Sequence, residues 1–229
     1  MPSEKYGLTT VMAIFMLIAL FMQVAIGKVN ALDDDLNLPS TIVRIEVFNG
    51  TKSYFLTKLL DVPEGYDVTN GTYLGWCIDT RAEMTRSPAT HPVKLYSSLN
   101  PPGDLANKSW DMVNYILNHK RGNATDIQQA IWYFINLDTA YTPTSEVAWE
   151  IINDALANGE GYVPSYGEKI AVICYPQYVL PSEVQVSIIE VTNTVIPEFP
   201  SSQIILIILS ATLLIIMVFN RGIFRRIKP

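Results

Sequence analysis

Hydrophobic and polar positions in the first half of the central region alternate with a period of two. Residues 41–47 are β-branched and alternating, Asn49-Gly50 is a hairpin turn signal, and residues 52–60 return as a second strand. A third strand, residues 72–78, follows Asn70-Gly71. The stretch from 80 to 104 carries four prolines and is predicted to be mostly loop, with one short extended piece at 93–96. This half of the region therefore predicts a β-sheet.

The period then changes to that of a helix. Trp110, Val113 and Leu117 mark one face of a helix over 109–119, which Gly122 ends. A second helix begins at Thr125 with a broad apolar surface, and a third covers 144–158. Two closing strands are predicted at 169–175 and 184–191. Strands, then helices, then strands predict an α+β fold, with a β-sandwich or barrel-like body and a helical insertion.

The N-terminal segment is predicted to be a signal peptide, residues 1–31. Lys5 precedes an almost wholly apolar run over 8–26, and Val29-Asn30-Ala31 supplies small residues at the spacing of a signal-peptidase site. An uncleaved N-terminal anchor is the alternative interpretation. Either segment directs the chain to a membrane.

The C-terminal run, residues 204–220, is predicted to be a transmembrane helix. At ~1.5 Å per residue its apolar stretch spans about 24 Å, and snorkelling of the flanking basic side chains brings it to the thickness of a bilayer core. The tail at 221–229 carries four cations, Arg221, Arg225, Arg226 and Lys228. The positive-inside rule puts that tail in the cytoplasm and the body of the protein outside the cell.

A Pro-rich stalk, residues 196–203, precedes this helix and contains Pro197-Glu198-Phe199. Two prolines favour an extended, stiff connection. The motif, the apolar helix and the basic tail together resemble the PEF-type C-terminal sorting signal of archaeal surface proteins. That resemblance implies an archaeosortase that cuts near the motif and transfers the protein to a lipid. A permanent single-span anchor is the alternative.

The composition of the region between the two hydrophobic ends limits its partners. Residues 32–195 form one predicted ectodomain, and residues 32–202 hold 21 acidic and 10 basic side chains, a net charge of −11. This charge argues against nucleic acid and favours neutral or basic partners, including proteins that carry lysines. Four Asn-x-Ser/Thr sequences predict N-glycosylation at Asn49, Asn70, Asn107 and Asn123, although Asn-Gly and Asn-Lys are also turn formers.

The candidate chemistry centres on Cys77 and Gln128. Only two cysteines occur, Cys77 and Cys174, and a secreted domain with two is expected to pair them. For Gln128 the plain interpretation is a capping box with Thr125, in which the glutamine finishes a helix. However, Gln128 shares a helix face with Ile131 and Ile135, so its amide is predicted to point inward.

Two motifs resemble the thioester domains of Gram-positive surface adhesins. The first is Tyr73-Leu74-Gly75-Trp76-Cys77-Ile78-Asp79, and the second is Gln128-Gln129-Ala130-Ile131-Trp132. The second departs from the family pattern at Ile127, where the family has threonine. The resemblance implies an internal thioester between Cys77 and Gln128, with Tyr73, Trp76, Asp79, Ala130 and Trp132 in supporting roles.

That resemblance implies covalent adhesion to an amine-bearing surface protein or other cell-surface ligand, not an enzyme with turnover. The aromatic side chains would shield the thioester from water. The sequence contains no Cys/His spacing for a metal, no phosphate-binding loop and no dinucleotide motif, so neither a metal nor a cofactor is expected. The alternative is a non-reactive structural envelope protein with a Cys77–Cys174 disulfide.

Overall fold

The computed structural model describes residues 35–80, 84–136, 140–178 and 184–195, together with 209–210. Residues 35–196 form one compact unit. The predicted signal peptide and the PEF motif lie outside the described residues, and of the C-terminal run only Leu209 and Ser210 are described, both helical. No helix within the described part of the chain is both long enough and apolar enough to cross a membrane.

Six antiparallel strands close into a barrel. They are β1 (Val43–Asn49), β2 (Phe55–Leu60), β3 (Gly71–Cys77), β4 (Thr90–Ser97), β5 (Lys169–Pro176) and β6 (Ser187–Thr192). Their order around the barrel is β1-β2-β3-β6-β5-β4, and β4 pairs with β1 to complete the ring. The predicted barrel-like body is thus confirmed.

Three helices lie between β4 and β5, as the sequence predicts for a helical insertion. They are α1 (Trp110–Asn118), α2 (Ala124–Ile135) and α3 (Glu146–Asn158). Asn123 caps α2 by accepting hydrogen bonds from the backbone N–H groups of Thr125 and Asp126, and the Asp126 carboxylate accepts from the Asn123 N–H. The capping box is therefore Asn123–Asp126, and the predicted Thr125–Gln128 box is wrong. Gln128 lies two residues beyond the capping-box position, which Asp126 occupies.

The largest difference from the sequence prediction is β4, expected as a short piece at 93–96 inside a loop. It runs from Thr90 to Ser97 because β1 and β5 pair with its two edges. Pro92 lies within the strand, facing Arg44 in the register with β1. Long-range pairing on both sides outweighs the low strand propensity of this proline-containing segment.

Alternate residues along the strands face two separate apolar clusters. On β5, Ile170 and Val172 pack inside the barrel, while Ala171 and Ile173 pack under the helices. The first cluster fills the barrel, and the second joins its outer wall to α1, α2 and α3. This period-two division fixes which face of β3 each motif residue occupies.

Candidate functional site: a cysteine and a glutamine at one end of the barrel

Cys77 is the last residue of β3, and Gln128 lies in the second turn of α2. Neither side chain is exposed to solvent. Gln128 points inward together with Ile131 and Ile135, as its helix face predicts. The structure therefore brings together two residues that are fifty-one positions apart in the chain.

The carboxamide of Gln128 makes two hydrogen bonds with the backbone of Cys77. The Cys77 N–H donates to Gln128 Oε1 at 2.8 Å, and Gln128 Nε2 donates to the Cys77 carbonyl at 2.7 Å. Both backbone groups are buried, and unpaired groups there would cost free energy. The glutamine thus continues the hydrogen bonding of β3 beyond its last ladder partner and holds its amide carbon beside Cys77.

The thiol of Cys77 is held by the loop that follows β3. Its Sγ–H donates to the carbonyl of Asp79 at 2.8 Å, and Gln185 Nε2 donates to that same carbonyl. Burial raises the pKa of Cys77 to about 12, although hydrogen bonding to the sulfur from the backbone of Asp79 and from the Trp132 indole opposes this. The sulfur is therefore protonated at neutral pH.

An aromatic cluster covers the thiol. Trp132 lies with its ring centroid 5.5 Å from that of Tyr54 and 5.1 Å from that of Tyr141. The buried indole N–H of Trp132 makes no hydrogen bond of normal geometry, but it is close enough to the sulfur to lower the pKa of Cys77. Burial raises the pKa of Tyr54, and the charge of the Cys77 thiolate contributes to this shift. These three rings limit access of water to the sulfur.

A cleft of about 580 Å³ opens beside this cluster. Its walls come from the β1–β2 hairpin, the segment after β3, helix α2 and the segment before β6. The residues that line it are Tyr54, Phe55, Thr80, Met84, Arg86, Trp132 and Gln185. Trp132 belongs both to the wall of the cleft and to the cover of the thiol, so the cleft lies next to the buried Cys77.

The predicted supporting residues divide into those at the site and those elsewhere. Asp79 and Trp132 lie against the thiol. Trp76 faces the helices on the opposite side of β3, because neighbouring strand residues point in opposite directions, and its Nε1 donates to Glu190. Tyr73 lies four residues back along the strand and binds the backbone of Thr69 through its hydroxyl. Ala130 is fully buried in the packing of α2.

The rings that shield the thiol are thus those of Trp132, Tyr54 and Tyr141. Trp76 and Tyr73 do not belong to this cluster. Four residues at the site were not predicted from the sequence: Tyr54, Tyr141, Gln185 and Arg86. Tyr54 lies within the predicted strand 52–60 and Tyr141 lies between α2 and α3, and neither local pattern indicates a contact with Trp132. The tertiary structure brings both rings against Trp132 of α2.

The alternative disulfide is not formed, and both cysteines are free thiols. Strand β6 separates them, since Ser187 pairs in register with Cys77 on one side and with Cys174 on the other. Two strand spacings correspond to about 9–10 Å between Cα atoms, beyond the ~7 Å limit for a disulfide. Cys174 is fully buried inside the barrel, where burial raises its pKa to about 12.

All four asparagines predicted to carry glycans are exposed: Asn49, Asn70, Asn107 and Asn123. Two of them already bind the backbone. Asn70 makes two hydrogen bonds with Val62, and Asn123 caps α2. Glycosylation at these positions stays a prediction.

Comparison with known proteins gives one similar structure. No protein-family model and no curated protein matches this chain. Among solved structures, the N-terminal thioester domain of a surface protein from Clostridium perfringens matches with 13% identity and a TM-score of 0.42, covering 65% of this chain and 98% of that chain. At this level of similarity the match carries no argument about chemistry. The chemistry proposed for this chain depends on the contacts between Cys77 and Gln128.

Proposed function

We propose that this chain is a cell-surface protein that forms an internal Cys77–Gln128 thioester and uses it to attach covalently to an amine-bearing target. The observation that supports this is the buried carboxamide of Gln128, hydrogen-bonded to both backbone groups of the cysteine that would attack it. A helix cap or a surface glutamine has no need of such contacts.

In the first step the Cys77 sulfur adds to the amide carbon of Gln128. Negative charge develops on Oε1, which the Cys77 N–H already contacts at 2.8 Å and stabilises without rearrangement. The thiol proton passes to Nε2, the carbon–nitrogen bond breaks, and ammonia leaves as the carbon–sulfur bond remains. The reaction converts a thiol and a carboxamide into a thioester and ammonia, so it needs no external reagent.

In the second step a primary amine from the target enters through the cleft and attacks the same carbon. Departure of Nε2 has left the Cys77 carbonyl without its donor, so this carbonyl can accept a hydrogen bond from the incoming amine. The sulfur leaves as a thiolate, a better leaving group than an amide nitrogen, and takes up the proton released by the amine. The product is an amide between Gln128 and the target, formed once per molecule, and the chain is not a turnover enzyme.

The location of this chemistry follows from the ends of the chain. The signal peptide, the apolar run at 204–220 and the basic tail support a single-pass membrane protein with its ectodomain outside the cell. The Pro197-Glu198-Phe199 motif supports processing by an archaeosortase and an archaeal origin, with glycosylation as a further expectation. The partner in this proposal is an amine-bearing protein or other ligand on a facing surface.

The test is the intact mass of the full-length chain in detergent, before and after methylamine treatment. We expect a mass one ammonia lighter than that calculated for the chain as purified, after any cleavage at its ends, followed by addition of one methylamine. Cys77→Ala and Gln128→Ala should each abolish both changes, while Cys174→Ala is the matched control that keeps them. An unmodified mass with two titratable thiols would reject the thioester and leave a non-reactive structural surface protein.

A further inference from the structure

The cleft beside Cys77 contains one charged side chain among the described residues that line it, Arg86. Arg86 is close enough to influence the site electrostatically. Its charge partly offsets the rise in the pKa of Tyr54, whose ring contacts Trp132. Arg86 is exposed, and within the described ranges it makes no ion pair and no side-chain hydrogen bond. A cation without a described partner thus lines the cleft through which the proposed amine enters.

From this arrangement we infer that the cleft selects a primary amine that carries a carboxylate near it, and that Arg86 is the residue that recognises the carboxylate. This inference rests on the proposed thioester and names the class of amine that it accepts. A guanidinium binds a carboxylate with paired donors, and it repels a second ammonium group in the same space. The aromatic walls formed by Tyr54 and Trp132 accommodate the methylene groups between the two ends of such a molecule.

The negative net charge of the predicted ectodomain does not oppose this selection. That charge acts on a partner at long range, whereas the charge of Arg86 acts within the cleft. A net charge of −11 over residues 32–202 attracts basic partners during approach, but salt screens it beyond about 8 Å. Inside the cleft, the charge of Arg86 has the larger effect on the charged groups of an incoming amine. The target that satisfies both is a protein of neutral or positive net charge whose reactive lysine has an acidic residue beside it.

Three amines of one length and different charge form the test. β-Alanine, n-propylamine and 1,3-diaminopropane carry an anionic, a neutral and a cationic group at the end away from the reacting amine. Their rates of addition to the full-length chain in detergent are measured by intact mass and compared per concentration of unprotonated amine. We expect β-alanine to react fastest and 1,3-diaminopropane slowest.

Arg86→Gln should lower the rate of β-alanine relative to propylamine by about 1.4-fold to 5-fold, the range typical of one exposed pair of opposite charges. Arg86→Glu should reverse the order of the three amines. Arg44→Gln is the matched control, because it removes the same charge from an arginine that is paired with Asp61 at the other end of β2. It should leave the relative rates of the three amines unchanged. Arg86→Gln should leave the rate of propylamine itself unchanged.

The outcomes separate this inference from the proposed function. If no amine adds to the unmodified chain, the thioester itself is rejected and the selectivity with it. If propylamine adds but the β-alanine preference is absent, or survives in Arg86→Gln, the thioester stands and the role of Arg86 is rejected. If Arg44→Gln changes the relative rates as much as Arg86→Gln does, the preference comes from total charge, and the inference is again overturned.

Discussion

Replacing Gln128 with alanine tests whether its carboxamide holds the end of β3 in place. In the folded domain this group makes hydrogen bonds of 2.8 and 2.7 Å with the Cys77 backbone, and the glutamine has no exposed surface. The comparison is made in a Cys77→Ala background. Alanine keeps the backbone N–H and C=O at position 77 but removes the sulfur, so no thioester contributes to stability.

The expected cost follows from the two backbone groups that lose their partner. Each buried and unpaired group costs about 1–3 kcal/mol, so the free energy of unfolding should fall by about 2–6 kcal/mol. A cavity left by the side chain adds to this loss. A glutamine that only capped the helix would contribute about 1 kcal/mol. The two interpretations of Gln128 therefore differ by more than the error of an equilibrium measurement.

Urea unfolding of the ectodomain, residues 32–195, followed by circular dichroism, measures this difference. Thr125→Ala in the same background is the control, because that residue is exposed in the first turn of the same helix and should change stability by no more than about 0.5 kcal/mol. A loss of 1 kcal/mol or less for Gln128→Ala would refute the reasoning. The paired hydrogen bonds would then be replaceable by water.

Two further predictions concern buried ionisable groups. Burial raises the pKa of Cys174 from 9.0 to about 12, so above pH 9 the unfolded thiol loses its proton while the folded one keeps it. The contribution of Cys174 to the free energy of unfolding is complete below pH 9 and declines by about 1.4 kcal/mol per pH unit up to pH 12. Urea titrations between pH 9 and pH 12 should show a smaller decline in Cys174→Ala. An equal slope in the variant would contradict this assignment. Lys120 Nζ lies 2.7 and 2.6 Å from the two oxygens of Glu190, whose side chain is 2% exposed. Lys120→Met should cost about 3 kcal/mol, because it removes the counter-charge of a buried carboxylate and leaves Trp76 Nε1 as its described donor. Adding Glu190→Gln should recover most of this loss, and an unchanged urea midpoint in the single variant would contradict the prediction.

Much of the fold could be predicted from local pattern, and the misses have identifiable causes. The hairpin at Asn49-Gly50 and the three helices follow from residue periodicity and turn chemistry, which act over a few residues. The start of α2 was misassigned because Asn123 and Thr125 are both good caps, and only the observed contacts with Asp126 decide between them. Strand β4 was underestimated because its stability comes from pairing with β1 and β5, which local propensity does not report.

The candidate site shows the same division. The motifs around Cys77 and Gln128 were found in the sequence, and the inward direction of Gln128 followed from its helix face. The cover of the thiol could not be predicted, because Tyr54 and Tyr141 lie on separate loops. Trp76 directly precedes Cys77 and was therefore expected to support the site. Successive strand residues point to opposite faces of the sheet, so Trp76 faces the helices and not the thiol.

The sequence by itself determined the hydrophobic ends, the acidic middle, the succession of strands and helices, and the pair of residues proposed to form a thioester. These features depend on composition and on short-range periodicity, which are properties of neighbouring residues. The tertiary structure decided which atoms meet. Insertion of β6 between β3 and β5 separates the two cysteines. Packing of α2 beside the end of β3 places Gln128 in hydrogen-bond contact with the Cys77 backbone. Strand order and register arise from contacts between distant segments, so no local pattern in the chain specifies them.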